Sequence, residues 1–219
     1  MQEFIVTLTI WALPVLFAIT LHEAAHGYAA RHFGDHTAEL AGRISLNPLR
    51  HIDPVGTILV PGLILLTSSL AGVGAMLFGW AKPVPVNFGR LRHPKADMLW
   101  VAAAGPFANF VMAIGWALLF SLAASMPDNA YALPLAKMAD AGIQINAVLL
   151  FLNLVPLPPL DGGRIAVSLL PAGLAYKFAQ IEPYGFPILL FLLVTGILGD
   201  ILGPLVAIFR FVLAIVFGL

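Results

Sequence analysis

From Phe4 to Thr20 the chain carries no charged residue, and this apolar run continues directly into Leu21-His22-Glu23-Ala24-Ala25-His26-Gly27. A chain that buries such a run must do so in lipid or in a large core. Two histidines and a glutamate then have to be accommodated at the same depth. On a helix, positions four apart differ by about 40° in azimuth, so His22 and His26 project side by side and can share one metal ion. Glu23 lies one step round, within reach of a metal-bound water. Two imidazoles, a carboxylate and an open position are the parts of a hydrolytic zinc site, in which the metal lowers the pKa of its water and the glutamate takes the proton. In a soluble helix, both histidines could simply be solvated or bonded to backbone carbonyls. In or near a bilayer, each charged group costs about 2.5–3.5 kcal/mol on insertion scales, so ionisable residues there usually mark a site.

Hydrophobic residues make up 60% of the 219 residues and charged residues 10%, and the mean hydropathy is +0.95. These values predict an all-α polytopic membrane protein. Eleven basic side chains balance eleven acidic ones without a basic block, which argues against nucleic acid as a partner. No cysteine is present, so disulfides and thiolate metal sites are excluded and His, Asp and Glu remain as the strong ligands. The first run lacks a basic leader and a small-residue cleavage site, and it reads as a retained helix.

Along the chain, a first helix is expected over 4–33, about 45 Å long if unbroken, with Gly34 as its stop. Asp35 to Pro54 reads as an interfacial loop. The apolar stretch 56–78 is long enough to span, yet Pro61-Gly62 and Gly72-Val73-Gly74 interrupt it. Lys82-Pro83-Val84-Pro85-Val86-Asn87 favours an extended course, because each proline biases its predecessor away from helix. Such a segment could pair with an unwound substrate as an added strand. A spanning helix is expected over 98–125, with a short turn at 126–135. A third covers 138–160, ending in Pro156, Pro158 and Pro159, with Gly162-Gly163 expected to supply φ > 0 beyond Asp161. Two apolar segments, 184–198 and 203–219, separated at Gly199-Asp200, predict a C-terminal hydrophobic hairpin. Arg210, inside the second, could snorkel, pair with Asp200 or lie at the interface. The whole reads as one domain over 1–219, with a core at 4–180.

Zinc needs a third protein ligand. His32 follows His26 at a spacing used by some soluble enzymes, but Ala29 stands where a chain-bending glycine would be needed. A continuing helix therefore aims His32 away from the His22/His26 face. Asp161, in a proline-broken stretch at the mouth of an apolar segment, is the better placed of the two, although spacing alone does not decide.

His22-Glu23-Ala24-Ala25-His26, Gly105-Pro106-Phe107-Ala108-Asn109 and the run from Asn153 through Pro156 to Asp161-Gly162-Gly163-Arg164 together resemble three elements of the site-2 protease family. These are intramembrane zinc metalloproteases, and the match keeps their order over residues 4–180. The resemblance implies one Zn²⁺ per chain, held by His22, His26 and Asp161. It further implies Glu23 as the base that activates water and Asn153 as a donor to the developing oxyanion. Gly105 and Asn109 would line the wall between the catalytic helices and the substrate. Transmembrane segments of membrane proteins are the implied substrates, in a compact form without a PDZ or nucleotide-sensing domain. A transporter or ion-conducting protein using the same His/Glu/Asp cluster, or an inactive protease-like scaffold, are the alternatives.

Topology follows from parity. His26 and Asp161 must meet at one depth near the ends of their helices, and helix 98–125 between them already makes those helices parallel. Segment 56–78 is therefore expected to be re-entrant. Arg31, Arg43, Arg50, Lys82, Arg90, Arg92, Lys95, Arg164 and Lys177 then share one side, leaving Lys137 on the other. That asymmetry predicts a site toward the cytoplasm; the expected setting is a multi-pass protein in the plasma (inner) membrane of a prokaryote.

Overall fold

The computed structural model describes residues 2–50, 53–59 and 82–219. Most of the 56–78 segment, and with it the expected re-entrant hairpin, lies outside the described residues. The described residues are helical and contain no strand. Helix α1 spans Gln2–His32 and α2 spans Thr37–Leu40; α3 spans Pro94–Ala124 and α4 spans Ala132–Leu154. Helix α5 spans Asp161–Leu169, α6 Ala172–Ala179, α7 Glu182–Val194 and α8 Ile197–Phe217. Within them, four helices are long and apolar enough to cross a membrane: α1, α3, α4 and α8. Helices α6 and α7, bent by 61°, make a fifth if taken together.

The bundle is laid out by residue pairing. Along α1 and α3, His26 meets Val101 and Ala18 meets Asn109, so these helices are antiparallel. Asn109 meets Asn146, and the Trp116 indole lies where a Cβ on Gly142 would fall, so α3 and α4 are antiparallel too. Helices α1 and α4 are therefore parallel, as the meeting of His26 with Asp161 demands. Close approach depends on small residues: Ala113 and Ala117 of α3 pack with Ile143 of α4 and Leu213 of α8 in one buried cluster. In lipid, where no hydrophobic gain drives helix association, such contacts carry the packing.

Several boundaries differ from the sequence reading. Helix α3 starts at Pro94, a proline at the first helical position where its missing N–H costs nothing. Helix α4 starts at Ala132, which shortens the expected turn at 126–135, and it ends at Leu154, ahead of the three prolines. Gly162 and Gly163 do not take φ > 0; among the described residues, positive values occur at Gly34, Gly42, Gly196 and Gly218. Their role is steric, since a Cβ on Gly162 would strike the Leu154 and Val155 carbonyls and one on Gly163 would strike Pro158. The C-terminal hairpin turns at Gly196 (φ 81°), ahead of the expected Gly199-Asp200. Arg210 does not pair with Asp200: its guanidinium reaches Asp140 at 2.6 Å and Gln144 at 2.7 Å on α4.

Candidate metal centre

Helix α1 places His22 and His26 on one stripe facing α3, and their ring centroids lie 4.7 Å apart. The stripe fits because α3 offers Gly105 there: a Cβ at that position would run into both imidazoles. Asp161 arrives from the other side. The proline-rich break ends α4 and starts α5 at Asp161, setting its carboxylate in the first turn of the new helix, 9% exposed.

Three potential ligand atoms result. Nε2 of His22 and Nε2 of His26 are 3.1 Å apart, and Oδ2 of Asp161 is 3.2 Å and 3.3 Å from them. The tautomers follow from the partners behind the rings. His26 Nδ1–H donates to the Val101 carbonyl at 2.8 Å, so Nε2 presents a lone pair. His22 Nδ1–H donates to Asn109 Oδ1 at 2.6 Å. Asn109 Nδ2 donates in turn to Asn146 Oδ1 at 2.9 Å and to the Ala18 carbonyl at 3.2 Å. Asn146 Nδ2 closes the chain on the Gly142 carbonyl at 2.8 Å. Both asparagines are fully buried, and every polar group behind the rings is satisfied.

In front of the rings the opposite holds. Three acceptors face one another without a donor between them, and Asp161 Oδ2 is buried with no hydrogen-bond partner. An unsatisfied buried group costs about 1–3 kcal/mol, more when charged. A cation removes that cost. Tetrahedral zinc with bonds of about 2.0–2.2 Å requires ligand atoms about 3.3 Å apart, which matches the triangle. His22, His26 and Asp161 are the one such group of potential ligands among the described residues. His32 stands apart from it, its ring against Phe33 at 5.0 Å.

The other expected site residues border a cavity of about 170 Å³ in front of the triangle, together with the extended segment 82–87, Phe88 and Arg164. Glu23 lines it, and its Oε2 accepts from the Val84 N–H at 2.7 Å. Asn153 also lines it, but Nδ2 donates back to the Leu149 carbonyl at 3.0 Å, leaving one of its two N–H groups for the cavity. Gly105 and Asn109 face the imidazoles from inside the bundle, so the expected place for them in a substrate-facing wall is replaced by support of the rings.

Two features escaped the sequence. Asn146 is one of several polar residues in α4, and nothing in its spacing singles it out as the partner of Asn109. The one cue was Asn109 itself, a polar group in an apolar helix that needs a partner on a neighbour. Segment 82–87 is extended as its prolines predict, yet it lies across the site as a strap. Arg43 Nη2 holds the Lys82 carbonyl at 2.7 Å, and Asp35 holds the Asn87 N–H at 2.6 Å. With Val84 and Asn87 amides engaged and prolines at 83 and 85, only the Lys82 and Val86 amides remain for an added strand.

The chain as a whole is similar to named bacterial proteins. It is 40% identical over 196 residues to a Bacillus subtilis protein named "Putative zinc metalloprotease YwhC", covering 88% of this chain and 84% of that one. It is 34% identical over 194 residues to "Putative zinc metalloprotease Rip2" of Mycolicibacterium smegmatis, covering 88% of this chain and 68% of that one. A Mycobacterium tuberculosis protein of the same name is 34% identical over 148 residues, covering 67% and 52%. No family model matches the chain. No solved structure matches it either.

Proposed function

This chain belongs to the bacterial family whose members carry the name zinc metalloprotease, YwhC and Rip2 among them, and on that premise we propose that it is an intramembrane endopeptidase of the site-2 protease type. Its substrates are transmembrane segments of other membrane proteins, which it hydrolyses within the bilayer. His22, His26 and Asp161 hold one Zn²⁺. The observation that carries this reading is the triangle of three acceptors with no donor, set among helices apolar enough to span a membrane.

Zinc bound there supplies a Lewis acid and brings the pKa of water into the neutral range. The chain's own residues do the rest. Asn109 and the Val101 carbonyl lock the two imidazoles in the tautomer that leaves Nε2 free. Glu23, next to His22 and bordering the cavity, takes a proton from water and passes it to the leaving amine. The Val84 amide holds one of its carboxylate oxygens and fixes its direction. The free N–H of Asn153 is available to the substrate carbonyl as it gains negative charge. The basic side chains clustered at this end of the bundle support a site toward the cytoplasmic face of the membrane.

The test is zinc content and cleavage of a transmembrane substrate by the purified protein, in wild type and in Glu23→Gln. About one zinc is expected in each, and cleavage in wild type alone. A Glu23→Gln protein that cleaves normally overturns the assignment of the base, and a wild type that binds no zinc overturns the whole reading.

A further inference from the structure

We propose that Arg43, Arg50 and Lys82 form a binding site for the headgroup phosphate of an anionic phospholipid. They line a cavity of about 380 Å³ with Ala41, Gly42 and Leu49, outside the metal centre. The cations converge for a local reason. Gly42 takes φ +63°, turning the chain after α2 so that Arg50 comes back to it, and Arg50 Nη1 donates to the Gly42 carbonyl at 2.6 Å. Arg43 Nη2 donates to the Lys82 carbonyl.

None of the three has a carboxylate partner among the described residues. Nε of Arg43 is buried without any hydrogen-bond partner. Elsewhere in the described chain, Arg31 is paired to Glu39 at 3.1 Å and Arg210 to Asp140 at 2.6 Å. Three positive groups share a cavity, the two guanidiniums bonded only to backbone carbonyls; they repel one another, and an anion with several acceptor oxygens relieves this. Guanidinium groups suit a phosphate, which accepts paired N–H bonds.

Leucines flanking these cations in sequence select lipid as the source of that phosphate. Leu40, Leu46 and Leu49 are 80%, 58% and 72% exposed. Basic and unpacked apolar side chains side by side are the pattern of a segment lying in a membrane interface. The loop also sits at the end of the spanning helices, because Phe33 just after α1 accepts from the Arg92 N–H just before α3. A bound headgroup would lie beside the strap, since the residue after Pro83 is Val84, whose amide holds Glu23.

The test uses the full chain in an uncharged detergent. Short-chain phosphatidylglycerol, phosphatidylcholine and inorganic phosphate are titrated in turn and adducts are counted by native mass spectrometry. A basic side chain near anionic lipid is worth about 1 kcal/mol, or about fivefold in affinity. Arg50→Gln/Lys82→Gln, which leaves the Arg43 contacts in place, should therefore weaken phosphatidylglycerol binding about 25-fold. Lys137→Gln/Lys177→Gln, of equal charge, should change it less than twofold, and Arg50→Lys/Lys82→Arg should retain it. Equal binding of both lipids, or undiminished binding by the first variant, overturns the proposal. So does phosphate binding that depends on these residues without a preference for phosphatidylglycerol, since the source would then be a free anion. Zinc content is read alongside on every variant, so failure here is separable from failure of the protease reading.

Discussion

The half of the bundle around Gly105 and the half around Phe120 each hold charged or ionisable groups on apolar helices, and they do it in opposite ways. Around Phe120, Arg210 of α8 meets Asp140 and Gln144 of α4, so a cation, an anion and an amide satisfy one another. Around Gly105, His22, His26 and Asp161 turn three acceptors toward one point and leave Oδ2 of Asp161 with no donor. About 22 Å of α3 separates the two, at 1.5 Å per residue over fifteen residues. Polarity inside a membrane helix is common to both, so polarity alone does not identify a site; incompleteness does. The closed cluster fastens α8 to α4, while the open one is built to take a cation.

That contrast is breakable by mutation, and the largest effect is expected at the open cluster. Asp161→Ala should reduce retained zinc from about one per chain to a small fraction, because two imidazoles without a third ligand hold the ion weakly; metal analysis after dialysis reads this directly. Glu23→Gln should keep the metal and lower cleavage by about 10²–10⁴-fold, the usual share of a general base. Asn109→Ala comes next. Removing the partner behind His22 should weaken zinc about 10–100-fold, measured by competition with a chelator.

The closed cluster should behave differently. Arg210→Met strands Asp140, which is costly, but both side chains are partly exposed, so a loss of about 1–2 kcal/mol is expected. Asp140→Leu/Arg210→Met should recover most of it, read as thermal stability in detergent, with zinc unchanged throughout. Zinc loss in Arg210→Met would mean that the two halves are coupled and the contrast between them fails.

The smallest effect is expected at the strap. Burial pushes the Asp35 carboxyl up, but the Thr37 hydroxyl, the Asn87 and Thr37 amides and the nearby Arg90 outweigh it and hold its pKa below the ordinary value. A depressed folded-state pKa stabilises above the unfolded value of about 3.9, and the contribution is lost as pH falls through the folded value. Protease cutting near Asn87 should therefore rise below about pH 4 in wild type and lose that acid dependence in Asp35→Asn.

Much of this was legible from residues alone. Long uncharged runs gave α1, α3 and α4 because lipid leaves the backbone few other options. The spacing of His22 and His26 gave their shared face, since it depends only on helical geometry. Asp161 could be placed with them by resemblance but not by spacing, because its position depends on how the proline-broken segment after Leu154 turns back. The Arg210 partnership was not legible: Asp140 and Gln144 lie 70 and 66 residues away, and only packing selects them over Asp200. The same holds for the Glu23 bond to Val84, a contact 61 residues distant made by a backbone amide that carries no sequence signature. Prolines predicted that 82–87 is extended, yet nothing local said where it would lie.

X-ray absorption at the zinc edge of the purified full chain tests the central claim most directly. Two imidazole nitrogens at about 2.0–2.1 Å are expected, with oxygen donors completing the shell, and His22→Ala should lose that signal. A zinc shell with fewer than two imidazoles, or one unchanged by His22→Ala, would contradict it.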